Sequence, residues 1–155
     1  KNNNYFIYGG SKSEVKKIII HESQNLKIYP QICFKKVKKI IKKMDILLMP
    51  YTNKATISGD YGNIINFMSP MKMFDYLGAG KIIISSNIKV LREVLIDNFN
   101  SFLIKDFLNV YKWKEQIDKV NLKKKKYLKI KKNAVLTSLK FTWKKRANKI
   151  LKEIK

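Results

Sequence analysis

The sequence predicts one α/β domain in which parallel strands are flanked by the helices that connect them. Short apolar runs alternate with segments in which apolar residues recur every three or four positions, as expected for strands joined by crossover helices. Ile82, Ile83 and Ile84 form an uninterrupted apolar run, which is typical of a central strand covered on both faces. With 155 residues and 45% hydrophobic content, the chain can fill one core, so we assign residues 1–155 to a single domain.

Three short strands are predicted in the first third of the chain, at residues 5–8, 26–29 and 46–49. A segment of helical periodicity follows each of the first two strands. Either Ser11 or Ser13 is expected to cap the first helix, because a serine hydroxyl accepts a hydrogen bond from an amide of the first turn.

A polar segment at residues 50–68 shows neither helical nor strand periodicity and contains Gly59 and Gly62. Loops of this length in compact domains are often functional. Ser69 and Pro70 then indicate a short helix, with the serine as cap and the proline at the first helical position, where its missing N–H costs nothing. The inward face of this helix is expected to carry Met71, Phe74 and Leu77.

The alternation continues after the strand at residues 82–84. Either Ser86 or Asn87 is expected to cap the next helix. Residues 97–100 form a predicted turn, in which asparagine tolerates left-handed backbone angles. Residues 102–104 complete the set of predicted strands.

The last third of the chain is predicted to be helical, with a lysine run at residues 123–126 as a solvated turn or linker. Apolar residues recur at helical spacing on both sides of this run. A terminal helix at residues 141–155 is expected to pack back on the domain, with Trp143 as an anchor in the core.

The formal net charge of +23 has two interpretations. Clustered cations attract nucleic acid or an anionic membrane surface. However, the lysines are spread along the chain and accompany many Ile and Asn residues, a mixture that AT-rich coding would produce without selection for a polyanion. The charge alone therefore leaves both interpretations open.

Cys33 is the only cysteine and the sequence has one histidine, so no cluster of metal ligands is predicted. A lone cysteine fits a reducing compartment, and we expect a cytoplasmic protein. No apolar run approaches the ~20 residues that cross a bilayer.

The segment at residues 69–80, SPMKMFDYLGAG, has the chemistry of a site for a nucleoside diphosphate. A helix N-terminus presents unpaired N–H groups and the positive end of the helix dipole, so the amides near Pro70, Met71 and Lys72 suit phosphate oxygens. Lys72 adds a full positive charge. Asp75, one turn later, is placed to accept hydrogen bonds from a ribose diol.

A purely structural interpretation of the same segment also fits the sequence. Ser69 and Pro70 then mark only a helix start, and Lys72 and Asp75 form an exposed ion pair at i,i+3 worth a few tenths of a kcal/mol, roughly. The residues alone do not separate the two interpretations.

A family resemblance favours the functional interpretation. The run SPMKMFDYLGAGKIIISS, followed by VLREVLIDNFNSFLI and FTWKKRANKIL, resembles the C-terminal domain of family-4 glycosyltransferases. Upstream, the strand ending at Gly9 and Gly10 and the stretch NLKIYPQICFKKVKKIIKKMDILLMPY fall where that family has similar segments. The resemblance implies a retaining enzyme of the GT-B fold, whose two Rossmann-like domains enclose the active site. The run also resembles the branch of this family that builds capsules, O-antigens and related bacterial polysaccharides.

The resemblance also implies roles for particular residues. Asp75 stands where the family has the second Glu of an E-x7-E motif, which binds the donor ribose. The first Glu, which contacts the donor sugar, falls at Phe67, so that contact is missing. Ile32 matches a position whose backbone contacts the nucleobase, and Gly9 and Gly10 match a turn that lines the donor cleft. The diphosphate would lie at Ser69, Pro70, Met71 and Lys72, with Lys72 stabilising the leaving group.

On this resemblance, the chain is a fragment that is inactive alone. The first strand of the domain, the acceptor domain and the remaining catalytic groups would precede Lys1. The full protein would be a hexosyltransferase that uses a UDP- or GDP-linked donor and neither metal nor cofactor. It would act on a glycan or lipid-linked acceptor, in the cytoplasm or peripherally on the inner face of the membrane. The alternative is a basic module without catalysis, which binds nucleic acid or a membrane.

Overall fold

A computed structural model describes most of the chain and divides it into two compact units, Lys1–Ile40 and Ile41–Lys155. The described residues are 3–18, 24–55, 62–122 and 124–154, without the side chains of residues 124 and 125. Gly59, which the sequence placed in the long loop, lies outside these ranges. None of the described helices combines the length and the apolar character needed to cross a membrane.

The first unit is a β-α-β arrangement, as the sequence predicted. Strands β1 (Tyr5–Tyr8) and β2 (Leu26–Tyr29) pair in parallel, with Tyr8 opposite Tyr29, and helix α1 (Lys12–Ile18) lies against β2. Val15 of α1 and Ile28 of β2 are both buried, which gives this unit its apolar centre. Helix α2 (Phe34–Lys43) follows β2 and continues into the second unit.

Ser11, not Ser13, caps α1. The Ser11 hydroxyl accepts a hydrogen bond from the Glu14 N–H at 3.3 Å, and the Glu14 carboxylate accepts one from the Ser11 N–H at 2.6 Å. This reciprocal pair is a capping box, which satisfies two amides at the helix start. These bonds to Ser11 lower the pKa of Glu14 from its ordinary value.

The second unit contains a parallel three-stranded sheet, which confirms the predicted α/β class. Its strands are β3 (Ile46–Met49), β4 (Ile82–Ser86) and β5 (Phe102–Ile104), in the order β3-β4-β5. Ile46 pairs with Ile82 and Ile84 pairs with Phe102. Every residue of β4 is buried, because this central strand is covered on both faces.

In the described part of this unit, five helices follow β3 along the chain: α3 (Met71–Gly78), α4 (Lys89–Arg92), α5 (Val110–Leu122), α6 (Leu128–Ser138) and α7 (Trp143–Glu153). A 3₁₀ turn at Lys124–Tyr127 joins α5 to α6. The main core consists of Met49, Ile65, Met73, Leu77, Ile83, Ile88, Leu91, Leu95 and Ala134. Helix α3 packs against α6, so its position depends on this core.

Gly80 and Asn98 have positive φ angles in the connections that follow α3 and α4. Gly80 has φ +63°, and a Cβ added there would lie 2.9 Å from Cγ2 of Val135 on α6, so the chain leaves α3 at a place where only glycine fits. Asn98 has φ 56°, which confirms the asparagine predicted to adopt left-handed angles in the turn at residues 97–100.

The side chain of Asn100 ties the same turn to α6. It is fully buried, accepts a hydrogen bond from the Ile96 N–H at 2.8 Å and donates to the Val94 carbonyl at 3.0 Å and to the Thr137 hydroxyl at 3.1 Å. Buried polar groups are stable only when they are paired in this way. The turn and α6 therefore form one rigid connection.

The expectations for the inward face of α3 and for the cap of α4 were wrong. Met71 is 61% exposed, and Met73 occupies the inward position instead, together with Leu77. Neither Ser86 nor Asn87 caps α4: its cap residue is Ile88, without a side-chain bond. Ser86 belongs to β4, and its hydroxyl donates to the Tyr51 carbonyl at 2.5 Å.

Trp143 is not a core anchor, because its side chain is 73% exposed and no residue of α7 is buried. Helical periodicity identifies an apolar face but not what covers it. Phe141, just before α7, does reach the domain: its ring lies 5.5 Å from that of Phe74 on α3. The packing of the whole segment 141–155 on the domain stays a prediction.

Candidate functional site

The N-terminus of α3 forms the centre of the candidate site. The helix begins one residue later than predicted: Pro70 is the cap residue, with φ −73° and ψ 98°, and Met71 is the first helical residue. Ser69 is exposed and does not cap the helix, since no side-chain bond is made at this end. The predicted helix start is correct to within one residue.

The first amides of this helix differ in their hydrogen bonding. Proline has no N–H, and the Met73 N–H turns back to the Pro70 carbonyl at 3.0 Å. Within the described ranges of the chain, the N–H groups of Met71 and Lys72 have no acceptor. Met71 and Lys72 are exposed residues, whereas the cap residue Pro70 is buried. The positive end of the helix dipole lies at these two amides. This arrangement can hold an anion.

The side chain of Lys72 adds a positive charge to the helix end. Its Nζ lies 4.4 Å from the centroid of the Tyr51 ring, a distance that gives a cation–π contact. The residue is exposed as a whole, yet the surrounding protein partly desolvates its amine and lowers the pKa of Lys72 from its ordinary value. A negatively charged ligand at the helix end would offset this cost.

Tyr51 comes from the carboxyl end of β3 and is held there through its backbone. Its carbonyl accepts the hydrogen bond from the Ser86 hydroxyl, which links the ends of β3 and β4. Its own side chain is half-buried, and desolvation is the main cause that raises the pKa of its phenol. The half-buried ring is the surface on which the Lys72 side chain rests.

The described parts of the loop between β3 and α3 are held together by Asn63. Its side-chain oxygen accepts hydrogen bonds from the Ala55 N–H at 3.0 Å and the Ile65 N–H at 3.1 Å, and its amide donates to the Asn53 carbonyl at 2.7 Å. The residues on both sides of the undescribed segment 56–61 therefore meet at one point. These bonds hold the chain that leads from Tyr51 to α3.

Asp75 lies one turn along α3 from the helix end. Its side chain is half-buried. Burial raises the pKa of the neighbouring Tyr76 phenol, and the negative charge of Asp75 raises it further. The i,i+3 ion pair considered from the sequence does not form among the described residues, because the Lys72 amine rests on Tyr51 instead. The carboxylate of Asp75 thus stays available for hydrogen bonds.

Gly9, Gly10 and Ile32 lie in the first unit, where the chain leaves β1 and β2. The Gly9 N–H donates to the Tyr29 carbonyl at 3.0 Å, and the Gly10 carbonyl accepts from the Gln31 N–H at 2.9 Å. Gly10 has φ +72°, which favours glycine. Ile32 follows this junction and is half-buried. The three residues therefore share one edge of the β1-β2 sheet.

The sequence predicted that Ser69, Pro70, Met71, Lys72 and Asp75 belong to the start of one helix. In the structure Met71, Lys72 and Asp75 lie on α3, and Ser69 and Pro70 directly precede it. The sequence did not identify Tyr51, whose ring contacts the Lys72 amine, or Tyr76, whose phenol lies near the charge of Asp75. The signal for Tyr51 was its position at the end of a buried strand, where ligands of parallel sheets bind. The contact with Lys72 itself depends on folding and has no sequence signature.

Together these features define an α/β domain in which one helix end presents a lysine and two amides that have no acceptor among the described residues. Residues 1–136 match the family model described as glycosyl transferases group 1. Since the match covers most of the chain, the chain belongs to this family. No curated protein matches it in sequence.

Solved glycosyltransferase structures of the GT-B class share the fold. HepE from Anabaena, in complex with UDP-glucose, superposes with a TM-score of 0.72 at 14% identity, over 97% of this chain and 40% of HepE. Sucrose-phosphate synthase from Thermosynechococcus elongatus gives a TM-score of 0.73 at 11% identity, over 96% of this chain and 38% of the synthase.

A third similar structure is the pneumococcal O-GlcNAc transferase GtfA in complex with UDP and GlcNAc. Its TM-score is 0.64 at 15% identity, over 97% of this chain and 29% of GtfA. The chain thus spans two fifths or less of the length of the three structures it resembles. At these identities the similarity shows the fold.

Proposed function

We propose that this chain binds the nucleoside diphosphate of a sugar donor and forms the donor-binding part of a retaining hexosyltransferase. One observation carries the proposal: among the described residues, the first turn of α3 carries two amides without acceptors, those of Met71 and Lys72, together with the charged Lys72 side chain. A diphosphate supplies negatively charged oxygens that can accept hydrogen bonds from the two amides and pair with the Lys72 amine. Membership of glycosyl transferases group 1 supports this choice of anion.

The same groups would assist the reaction itself. When the sugar leaves its donor, negative charge develops on the diphosphate. We propose that the helix amides and the Lys72 ammonium interact with that charge, and that they stabilise the transition state more than the ground state. We propose Lys72 as the stabiliser of the leaving group, with neither metal nor cofactor required. The other catalytic groups would come from a second domain.

Asp75 is proposed to accept hydrogen bonds from the ribose. Because its carboxylate lies one helical turn from the phosphate-binding end, a nucleotide can span both groups. Gly9, Gly10 and Ile32 are proposed to line the donor cleft and contact the base. Phe67, 87% exposed, stands where the sugar-binding Glu of the resembled family would be, so the sugar must be held by other groups.

The identity of the base, the acceptor and the cellular setting are further parts of the proposal. The similar structures of HepE and GtfA contain UDP or UDP-glucose and UDP with GlcNAc, which supports a uridine donor. We propose a glycan or lipid-linked acceptor, in the assembly of a bacterial polysaccharide. The protein would work in the cytoplasm or peripherally on the inner face of the membrane.

Calorimetric titration of the chain with UDP, GDP and ADP tests this proposal. We expect saturable binding of a uridine or guanosine diphosphate that persists in EDTA. Asp75→Ala should weaken it about tenfold, because a charged hydrogen-bond partner of the ribose is lost. Asp106→Ala, which removes an exposed carboxylate elsewhere, is the matched control. Absence of nucleotide binding, or equal losses in both variants, would contradict the proposal.

A further inference from the structure

Phe67 lies in a turn directly before α3, and its ring is left outside the core. The side chain is 87% exposed, the largest exposed fraction among the large apolar residues of the described ranges. Its neighbours are held inward: Ile65 belongs to the main core, Met68 packs against that core and Pro70 is buried. The N–H groups of Phe67 and Met68 both donate to the Ile64 carbonyl, at 2.9 and 3.0 Å. The turn is therefore fixed on both sides of the exposed ring.

This turn leads directly into the candidate anion site. Met71 comes four residues after Phe67, so their Cα atoms lie within about 14 Å of each other. The amides of Met71 and Lys72 have no acceptor among the described residues. The sugar of a donor is bonded directly to the diphosphate, so a diphosphate at these amides brings the sugar into the neighbourhood of the Phe67 ring.

We propose that Phe67 stacks on the C–H face of the donor sugar, which makes a hexopyranose the class of sugar that this site takes. The inference rests on the proposed function, because the diphosphate places the sugar. The face of a phenyl ring is negative, and the hydrogens on the carbons of a pyranose are slightly positive because those carbons carry oxygen. Stacking also removes the exposed ring from water. A phenyl ring has no hydrogen-bond donor or acceptor, so Phe67 recognises the face of the sugar and not a particular hydroxyl.

Exposure alone does not distinguish Phe67, since isolated apolar residues are common on protein surfaces. Tyr111 on α5, for example, is 77% exposed. Phe67 differs in combining a fixed turn with a place directly before two amides that lack an acceptor in the described part of the chain. Tyr111 therefore serves as the matched control, an exposed aromatic side chain on another element.

Calorimetric titration with UDP, UDP-glucose and UDP-galactose tests the inference. The quantity compared is the affinity for each UDP-hexose divided by the affinity for UDP, which isolates the contribution of the sugar. Phe67→Ala should lower this ratio about three- to tenfold for at least one hexose, since an aromatic contact is lost, and should leave the affinity for UDP unchanged. Phe67→Tyr keeps the ring and Tyr111→Ala changes another element, so both variants should keep the wild-type ratio.

The outcomes separate this inference from the proposed function. Absence of UDP binding would overturn the proposed function and, with it, this inference. If UDP binds and Phe67→Ala lowers its affinity as much as that of the hexose donors, or lowers neither, the ring does not contact the sugar. A ring that serves only to contact another protein surface gives this result. Binding of UDP without binding of either UDP-hexose would overturn the inference as well.

Nuclear Overhauser effects locate the contact directly. In a chain whose phenylalanine rings alone are isotope-labelled, the C–H protons of the bound hexose should show effects to one ring, and these effects should vanish in Phe67→Leu. Effects that persist in Phe67→Leu would assign the contact to another phenylalanine and contradict the inference. Sugar protons without any effect to a phenylalanine ring would contradict it too.

Discussion

The amine of Lys72 lies 4.4 Å from the centre of the Tyr51 ring, across the gap between the end of β3 and the start of α3. Tyr51 is fixed through its carbonyl by Ser86, and α3 is fixed by its packing on α6. The long, flexible Lys72 side chain is thereby kept on the Tyr51 ring, and it belongs to the turn of α3 whose first two amides have no acceptor among the described residues. Tyr51 acts as a positioning residue for the cation.

Substitutions of Tyr51 separate the ring from its hydroxyl. Tyr51→Phe keeps the cation–π contact and should leave UDP affinity nearly unchanged. Tyr51→Leu keeps an apolar side chain but removes the π face, and a contact worth about 0.5–1 kcal/mol predicts a two- to fivefold loss, roughly. Calorimetry of both variants measures the difference. If the two variants lose the same affinity, the ring does not position Lys72.

UDP affinity should depend on pH through Lys72. Burial lowers the pKa of its amine in the free protein, whereas a bound diphosphate stabilises the protonated form and raises that pKa. Binding therefore takes up protons between the two pKa values, and affinity falls as the pH rises through the free-protein pKa. Desolvation raises the pKa values of Tyr51 and Tyr76, which moves the titration of these phenols to higher pH while that of Lys72 moves to lower pH.

Lys72→Arg supplies the control for this pH dependence. A guanidinium stays charged throughout the range, so the decline in affinity with pH should flatten. Calorimetry in buffers of different ionisation enthalpy measures the proton uptake, which should disappear in the variant. An unchanged decline in Lys72→Arg would assign the pH effect to another group.

A pair of glycine substitutions tests the connection between α3 and α6. Gly80→Ala should destabilise the protein by about 1–3 kcal/mol, because alanine is strained at a positive φ and its Cβ meets Val135. Gly78→Ala should be neutral or stabilising by about 0.5–1 kcal/mol, since Gly78 is helical and only the Ser138 hydroxyl lies within 4 Å, at 3.8 Å. Urea unfolding compares the two; similar effects would contradict this packing.

Asn100 is expected to be important for stability. Asn100→Ala leaves the Ile96 N–H, the Val94 carbonyl and the Thr137 hydroxyl without their buried partner, and should cost about 1–3 kcal/mol. Asn133→Ala removes a single exposed hydrogen bond to Phe99 and should cost about 0.5 kcal/mol. Thermal unfolding gives both values. If Asn133→Ala were the more damaging variant, the anchoring role of Asn100 would be wrong.

Periodicity predicted the strands and the start of α3 because these features depend on local spacing. The uninterrupted run at Ile82, Ile83 and Ile84 identified the central strand, and Pro70 identified the helix start to within one residue. Periodicity did not predict the environment of Trp143: the spacing correctly indicated a helical face, but the residue is exposed and not buried in the core. Spacing reports that a face is apolar, whereas its partner depends on tertiary structure.

The candidate site shows the same division. The amides at the end of α3 could be predicted from Pro70, because the start of a helix always leaves donors unpaired. The contact between Lys72 and Tyr51 could not be predicted, since it joins residues on either side of a long loop. The sequence of that loop has neither helical nor strand periodicity, so it does not indicate the path of the chain. The ion pair between Lys72 and Asp75 was a reasonable local expectation that this distant contact replaced.

The most direct test of the central claim is an amide chemical-shift titration of the isotope-labelled chain with inorganic pyrophosphate and with UDP. Both ligands should move the Met71 and Lys72 amide resonances downfield, as their N–H groups gain acceptors, and UDP alone should add shifts near Asp75. If the Met71 and Lys72 resonances stay in place while amides elsewhere respond, the end of α3 does not bind the diphosphate.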